Sequence, residues 1–267
     1  MTESIEDYHA DTEWHTSSMY KAMLAGPRVF EQRVIKRTKS YAPALQLGSL
    51  VHAMALEPET VADDYAIAPV SDRRTKAYKE WVASIDAEQT IVTTSEADTA
   101  KRCVDALNAN PIIKGLLDAK GFVEHSHRWQ DETALGKCKC KMRADKVIEN
   151  GYTIMDIKTI RELTERDVMK TFWNFGYHIQ AAHYTLGVAD WFGYDMPESL
   201  MFVFAYVETQ EPFRSLAYTI DDESLHRAIE QRNRLQLEVM RRMETHDFAD
   251  PNEDQLICLS LPEGLTK

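Results

Sequence analysis

The segment MRADKVIENGYTIMDIK, residues 142–158, decides the fold of this chain. Two runs of alternating apolar and polar residues flank Asn150-Gly151, and this dipeptide between such runs is the strongest short signal for a two-residue hairpin turn, in which both central residues take positive φ. A two-residue turn fixes the register of the strands and brings Asp145 directly opposite Asp156. We therefore predict a β-hairpin with two facing carboxylates.

Facing carboxylates repel one another and destabilise a sheet unless a cation lies between them. Carboxylate oxygens without thiolates favour a hard ion such as Mg²⁺ or Mn²⁺. Lys158 follows on the same face as Asp156 because side chains alternate along a strand, and there it could orient or deprotonate water or shield phosphate charge. The alternative is a surface hairpin in which Arg143 and Lys158 neutralise Asp145 and Asp156.

The rest of the chain reads as helices around a sheet. Strands are predicted at 121–130, 137–149, 152–159, 200–207 and 213–220, and helices at 16–40 (broken near 26–27), 44–57, 73–86, about 94–108, from 111, at 165–192 and at 222–245. This pattern predicts an α+β fold, a central mixed sheet flanked by helices. We expect one domain over residues 1–267, with a helical part over about 1–118 and a catalytic part over about 119–250.

Composition sets limits on location and class. The chain has 267 residues, and its 44% hydrophobic and 28% charged residues are ordinary for a soluble globular protein. No apolar run approaches the length that spans a bilayer, and the acidic start lacks the apolar core of a secretory signal. The four cysteines, too few for a disulfide scaffold, are interpreted as reduced thiols. We expect a cytoplasmic protein with no membrane partner.

The net charge of −12 argues against nucleic acid as a partner at first sight. Basic residues nevertheless cluster locally. The run 137–143 alternates strictly, so its basic side chains would share one face with Asp145 and form a track into the site. The members of this predicted DNA-binding track are Lys137, Lys139, Lys141 and Arg143. The alternative is a solvated strand face.

The residues of the hairpin resemble the signature of a known superfamily. Asp145 followed by Asp156-Ile157-Lys158 resembles the D…(D/E)xK signature of the PD-(D/E)xK nuclease superfamily. Three further features resemble the RecB-like branch, in the same order along the chain: Gly48-Ser49-Leu50-Val51-His52 (GxxxH), the acidic Glu124, and Gln180-Ala181-Ala182-His183-Tyr184 (QxxxY).

Within that branch the chain is most similar to RecE-like exodeoxyribonuclease VIII of phages and prophages. The likeness covers roughly residues 7–220 and includes Tyr8-His9, Leu47–His52, Leu56–Glu59, Cys138–Lys141 and Tyr177–Gln180. It implies a processive, Mg²⁺-dependent exonuclease that digests double-stranded DNA ends 5′ to 3′. It also implies a ring-shaped homo-oligomer and a 3′ single strand delivered to an annealing protein of the RecT type.

The resemblance also implies residue roles. The catalytic set is Asp145, Asp156, Lys158, Glu124, Gln180 and Tyr184, and the metal ligands are His52, Asp145, Asp156 and the backbone carbonyl of Ile157, with Mn²⁺ able to replace Mg²⁺. For His52 the alternative is a core histidine. For Gln180 and Tyr184, which share a helix face, the alternative is amphipathic packing.

The cysteines and histidines raise the question of other metal centres, and the sequence leaves other functions open. The cysteine spacing does not match the iron–sulfur cluster of some RecB-like nucleases, so we expect none. Zinc bound by Cys138, Cys140, His125 and His127 is conceivable, but no C-x₂-C pair supports it. His178 and His183 have no assigned role. The competing functions are a structure-specific or restriction endonuclease, against which the lack of a separate recognition domain counts, and a catalytically silent DNA-end-binding protein.

Overall fold

The computed structural model describes residues 8, 11, 13–38, 43–69, 74–86, 89–251 and 253–256; His9 and Cys258 lie outside them. The helices are α1 (Ser17–Ala25), α2 (Pro27–Phe30), α3 (Pro43–Leu56), α4 (Val61–Asp64), α5 (Lys76–Val82), α6 (Thr94–Ala109), α7 (Pro111–Asp118), α8 (Glu165–Asn174), α9 (Tyr177–Phe192) and α10 (Asp222–Thr245). The strands are β1 (Tyr65–Ala68), β2 (Thr90–Thr93), β3 (Gly121–Thr133), β4 (Gly136–Ile148), β5 (Thr153–Ile160), β6 (Met201–Glu208) and β7 (Ser215–Thr219). A π-helical turn (Glu31–Ile35) extends α2, and a 3₁₀ turn (Pro197–Ser199) precedes β6.

A five-stranded mixed sheet forms the centre, in the order β3-β4-β5-β6-β7. β5 and β6 run parallel, and the other neighbours are antiparallel. The helices α8 and α9 make the crossover that a parallel pair requires. The predicted α+β class and mixed sheet are confirmed.

The hairpin register is confirmed, but the predicted turn is wrong. Val147 pairs with Ile154, which is the register expected from the sequence. The connection spans four residues, and its Gly151 has φ of 73° whereas Asn150 has no positive φ. The Asn150 side chain instead accepts a hydrogen bond from the backbone N–H of Tyr152 at 3.0 Å. Because this local bond stabilises the turn, only one residue has to adopt the left-handed region.

β4 and β5 separate soon after the turn. Their ladder includes Lys146–Met155 and Val147–Ile154 and does not continue toward Lys139. There the backbone of His15 pairs with β4 in place of β5. The His15 N–H donates to the carbonyl oxygen of Lys139 at 2.8 Å, and the His15 carbonyl oxygen accepts the backbone N–H of Lys141 at 2.9 Å. The N-terminal segment thus fills the gap and satisfies backbone groups of β4 that would otherwise be orphaned.

Two layers of helices cover the sheet. On one face, α9 and α10 bury a core that includes Trp129, Met142 and Phe202. On the other face, α3 and α6 pack on a second core around Val51 and Met155. None of the described helices is long and apolar enough to cross a membrane.

Two helices differ from the prediction, and one pair of strands was not predicted at all. The helix predicted over 165–192 breaks at Gly176, which has φ of 62° and precedes α9. The helix predicted over 73–86 covers only Lys76–Val82. The short parallel pair of β1 and β2 was not predicted, because four-residue strands carry too little periodicity to be recognised.

Candidate active site

Three carboxylates lie side by side on three neighbouring strands. The pairs Val123–Lys146 and His125–Ala144 bracket Glu124, which therefore falls opposite Asp145. Asp145 in turn falls opposite Asp156 in the hairpin register. The backbone of Glu124 is left-handed, with φ of 46°, so β3 is locally distorted where the three acids meet. A sheet that places three carboxylates in a row must offset their repulsion.

His52 reaches this row from α3. Gly48, one helical turn earlier, lets α3 approach β5 so closely that a Cβ there would lie 3.3 Å from Thr159 Oγ1. His52 Nε2 lies 2.8 Å from the carbonyl oxygen of Ile157, and Nδ1 lies 3.1 Å from Asp145 Oδ2. Burial disfavours the charged ring, but Asp145 outweighs burial and raises the pKa of His52 to about 9.

The two aspartates of the hairpin differ in their environment. Asp145 Oδ2 accepts the backbone N–H of Ile157 at 2.8 Å. Burial would raise the pKa of Asp145, but His52 and this hydrogen bond lower it below its ordinary value. Asp156 is 1% exposed, and burial and the charge of Asp145 raise its pKa despite the opposing charge of Lys158.

Asp156 is held by two side chains. Gln180 on α9 donates through Nε2 to Asp156 Oδ1 at 2.5 Å, and Lys158 forms an ion pair with Oδ2. The Lys158 ammonium also lies 4.7 Å from the centre of the Tyr177 ring. Burial opposes its charge, but Asp156 and Asp145 together raise the pKa of Lys158. The structure places Gln180 beside Asp156, and the catalytic role that the family resemblance implies for Gln180 stays a prediction.

Tyr184 has a different position from Gln180 on the same helix. It is buried within the core of α9 and β6, and burial raises the pKa of its hydroxyl, with Ser17 on α1 acting in the opposite direction. Its described contacts are therefore those of a packing residue next to the site, and its direct contact with substrate stays a prediction.

The sequence alone did not identify Lys21, which also belongs to the site. Lys21 on α1 donates to Gln180 Oε1 at 3.3 Å. Burial and the neighbouring Lys158 lower the pKa of Lys21 to about 8. Gly176 permits this approach, because an ideal Cβ at Gly176 would lie 3.0 Å from Lys21 Cγ. A glycine at position 176, within a segment of helical pattern, is a signal of close packing. It does not indicate that Lys21 is the residue that packs there.

The predicted basic track is only partly open. Lys141 is 1% exposed and donates to the carbonyl oxygens of Tyr8 and Asp11, so it does not offer its ammonium at the surface, contrary to expectation. The N-terminal segment that fills the gap beside β4 encloses it. Lys137 and Lys139 are exposed and pair with acidic side chains.

Arg143 belongs to the acidic row rather than to an open track. It donates to Glu124 Oε2 at 2.9 Å, and both side chains are mostly buried. Burial and the charge of Asp145 raise the pKa of Glu124 to about 7, against the effect of Arg143. Arg143 therefore compensates part of the charge of the carboxylate row.

The histidines considered for zinc do not meet the cysteines. His127 contacts Asp190 at 2.7 Å and stacks on Trp129, and His125 stacks on Trp191 at 4.1 Å between ring centres. The sulfur atoms of Cys138 and Cys140 lie 4.0 Å apart in a separate buried group. His52, Glu124 and Asp145, among the described residues, form a group that could hold a metal ion, since their ligand atoms all lie within 4.8 Å of one another.

Comparison with known proteins identifies the family of this chain. A family model described as "PDDEXK-like domain of unknown function (DUF3799)" matches residues 16–258. The chain belongs to this PDDEXK-like family. It is thereby placed in the PD-(D/E)xK nuclease superfamily, although the finer likeness to RecE-like enzymes is not established by this match. The comparison with curated proteins found no match.

One solved structure supports the fold of this PDDEXK-like protein. A crystal structure from Eubacterium rectale, of a protein provisionally named as an exonuclease, superposes with a TM-score of 0.68 at 17% identity, covering 98% of this chain and 96% of that one. A second structure, of the protein SSO0001, has a TM-score of 0.30 at 15% identity, covering 71% and 87% of the two chains, and carries no weight.

The side chains of this family member fit a divalent cation. PD-(D/E)xK nucleases use such ions, and the donor set here consists of carboxylate oxygens and an imidazole without thiolates. Burial and the charge of Asp145 raise the pKa of both Glu124 and Asp156, so negative charge is held there at a cost to the fold. An ion would relieve that repulsion.

Proposed function

We propose that this protein is a Mg²⁺-dependent exonuclease that digests double-stranded DNA from its ends, 5′ to 3′, and leaves 3′ single strands for recombination by strand annealing. The observation that carries the proposal is the convergence of Glu124, Asp145 and Asp156 from three strands, beside Lys158 and His52. Crowded carboxylates with an adjacent lysine suit hydrolysis of a phosphodiester.

Five groups of the site would bind the metal ion. His52, Glu124, Asp145, Asp156 and the Ile157 carbonyl would hold the ion, which when bound supplies Lewis acidity and lowers the pKa of bound water. The Ile157 carbonyl and Asp145 already contact His52 at 2.8 and 3.1 Å, so the imidazole would have to turn from at least one of them to act as a ligand.

The lysines act on the phosphate. Lys158 lies next to Asp156, so it would meet a phosphate bound there and stabilise the charge that develops during cleavage. Gln180 links Asp156 to Lys21, which adds a second positive charge. Fixed groups of this kind need no reorganisation when the reaction occurs.

The enclosure of the site supports action at DNA ends. Asp156 and Asp145 are 1% and 9% exposed, and helices bring Lys21 and Gln180 from one side and His52 from the other. A strand end enters such a site more easily than an internal bond of an intact duplex. This favours an exonuclease over an endonuclease of the same fold.

DNA contacts outside the site would come from the exposed members of the basic track. Lys137 and Lys139 pair with Glu132 and Glu13 at the surface, and such exposed pairs contribute little, so phosphates can replace the acids. The motif likeness to RecE-like enzymes supports two further parts of the proposal, a homo-oligomeric ring and an annealing partner. Light scattering and co-purification with a single-strand annealing protein test them.

The decisive experiment compares linear and closed-circular duplex DNA. With Mg²⁺, the purified protein should release nucleotides from linear duplex and leave relaxed circles intact, and EDTA should stop the reaction. End labels on either strand should show loss of the 5′ label first. Equal cutting of circles would indicate an endonuclease, and end binding without digestion would indicate a silent DNA-binding protein. Replacing Mg²⁺ with Mn²⁺ should preserve the products.

A further inference from the structure

A cavity of about 280 Å³ lies beside the active site, between α8, α10 and strands β6 and β7. Packing voids in protein interiors are rarely larger than a water molecule. A cavity near the lower end of the roughly 300–1,000 Å³ typical of ligand pockets fits a small ring system better than a whole cofactor. Its wall combines aromatic rings with aliphatic and polar side chains, and the rings include those of Phe172, Trp173, Phe204, Tyr206 and Tyr218.

Two buried polar groups line the cavity without hydrogen-bond partners among the residues that the structure describes. They are both ring nitrogens of His178 and the hydroxyl of Tyr206; the two residues are 3% and 1% exposed. The Phe172 backbone and Gln231 favour protonation of His178, yet neither meets the geometry of a hydrogen bond, and burial still lowers the pKa of His178. A neutral imidazole presents one donor and one acceptor.

Burying such groups without partners costs free energy. A cavity with aromatic walls and a few unsatisfied donors and acceptors has the chemistry that stacks a flat heteroaromatic ring and bonds to its edge. Nucleobases are rings of this kind.

The cavity adjoins the site on the same face of the sheet. In the parallel pairing of β5 and β6, Tyr206 is the partner of Lys158 and Phe204 that of Asp156. Tyr177 lies between, 4.7 Å from the Lys158 ammonium and 6.4 Å from the Tyr206 ring centre. Burial raises the pKa of Tyr206, and Tyr177 and Asp156 add to it; the neighbouring Thr171 lowers it, although its contact with the hydroxyl does not meet the geometry of a hydrogen bond. A strand held at Lys158 would carry its neighbouring base toward this cavity.

We propose that the cavity binds one unstacked nucleobase of the DNA strand whose phosphate lies at Lys158. His178 and Tyr206 bond to the edge of the base, and the aromatic walls stack on its faces. Arg227, which lines the cavity and is exposed and paired with Glu223, lies where it can meet the adjoining phosphate. This inference rests on the proposed action on DNA.

The test measures nucleotide binding without cleavage. Wild-type protein in EDTA is titrated with dAMP, and with 2-deoxyribose 5-phosphate as the probe that lacks a base, by isothermal calorimetry. We expect dAMP to bind and the sugar phosphate to bind at least tenfold more weakly. Equal affinities would show that the phosphate alone is recognised and would overturn the proposal.

Variants locate the bound base. His178→Phe and Tyr206→Phe keep the aromatic ring but remove the polar atoms, and each should weaken dAMP binding roughly 3- to 10-fold. Ser224→Trp at the exposed rim should block the cavity and weaken binding more than tenfold, whereas His226→Trp, exposed on the same helix but not lining the cavity, should not. Unchanged affinity in Tyr206→Phe and Ser224→Trp would refute the cavity as the site, even if His178→Phe fails to fold.

Stability separates a binding role of His178 from a structural one. Because its nitrogens lack partners, His178→Phe should melt at the same temperature as the wild type or higher. A lower melting temperature would show that the imidazole supports the fold. Binding of dAMP without DNA cleavage would support the cavity assignment and count against the proposed function. Cleavage of DNA without dAMP binding would support the proposed function and overturn the cavity assignment.

Discussion

Two buried polar clusters on this sheet use similar residues to opposite effect. The carboxylate cluster consists of His52, Glu124, Asp145, Asp156 and Lys158, and the arginine cluster of Asp131, Cys140, His183, Arg232 and Gln236. Both join strands to helices through charged side chains. They differ in how the carboxylates are surrounded: in the first cluster like charges lie close together, whereas in the second a single carboxylate faces an arginine, and this difference separates a candidate binding site from a structural support.

In the arginine cluster the charges are compensated. Arg232 is 1% exposed and donates to Asp131 at 2.6 Å, to Gln236 at 3.0 Å and to the sulfur of Cys140 at 3.2 Å. Burial would raise the pKa of Asp131, but Arg232 and Gln236 lower it. Burial and Arg232 lower the pKa of His183, so the ring is held neutral.

In the carboxylate cluster like charges are crowded instead. Burial and Asp145 raise the pKa of both Glu124 and Asp156. Natural sequences keep such unfavourable arrangements mainly at functional sites. The comparison therefore supports the proposal that the carboxylate cluster binds a cation and a phosphate, and the proposal can be tested residue by residue.

The largest expected effect is on cleavage by Asp156→Asn. Removing the charge beside Lys158 should reduce DNA digestion by about 10³-fold or more, comparable to the loss of a major electrostatic group. The melting temperature of the metal-free protein should not fall, because burial and Asp145 outweigh Lys158 and raise the pKa of Asp156, so its charge is a net cost to the fold. Digestion assays and calorimetry measure both effects.

Asp131→Asn is the matched control from the arginine cluster. It should lower the melting temperature, since a buried arginine loses its counter-charge, while folded molecules should still digest DNA. Digestion at near wild-type rate by Asp156→Asn would remove Asp156 from the active site.

The next effect is on stability. Arg232→Met should destabilise the fold by roughly 3–5 kcal/mol, because it leaves Asp131 as a buried charge without its main partner. Urea denaturation measures the free energy of unfolding. The double variant Arg232→Met/Asp131→Asn should recover part of the loss, since neither charge then remains. Strictly additive losses would mean that the pair is not coupled.

The sequence predicted the parts of the site that local patterns encode. Strand alternation and a turn signal at Asn150-Gly151 were sufficient to set the register that brings Asp145 opposite Asp156. The prediction of a two-residue turn was wrong, but the register is as predicted, because a four-residue loop that closes one pair earlier leaves the pairing of both strands unchanged.

Contacts between distant segments could not be predicted in this way. Lys21 meets Gln180 across 159 positions of sequence, and the enclosure of Lys141 depends on Tyr8 and Asp11, 133 and 130 positions away. Alternation identified the face of Lys141 but not what covers that face. Tertiary packing decides such contacts, and one sequence carries no local signal of it.

Divalent metal should stabilise the carboxylate cluster and leave the arginine cluster unaffected. A ligand at about 100 times its dissociation constant adds roughly 2.7 kcal/mol to the free energy of unfolding. Melting curves with and without Mg²⁺ or Mn²⁺ should show this gain in wild type and Arg232→Met, and its loss in Asp145→Asn. An equal gain in Asp145→Asn would place the ion elsewhere.

The smallest effect is expected from Lys21→Met, and its sign depends on pH. Burial and Lys158 lower the folded-state pKa of Lys21 to about 8 from an ordinary 10.5. Between these values the unfolded chain binds more protons, so wild-type stability rises with pH across this window, and the cost of the buried charge is fully present below pH 8.

Methionine removes that charge. Near pH 7, Lys21→Met should therefore be more stable than wild type by ~1–2 kcal/mol, less than the full shift implies because the hydrogen bond to Gln180 is also lost. Its advantage should shrink as the pH approaches 10.5, and it should digest DNA more slowly. Urea denaturation from pH 6 to 10 measures the trend, with the exposed Lys139→Met as control. A gain that is constant with pH would attribute the effect to packing, and undiminished digestion would remove Lys21 from the site.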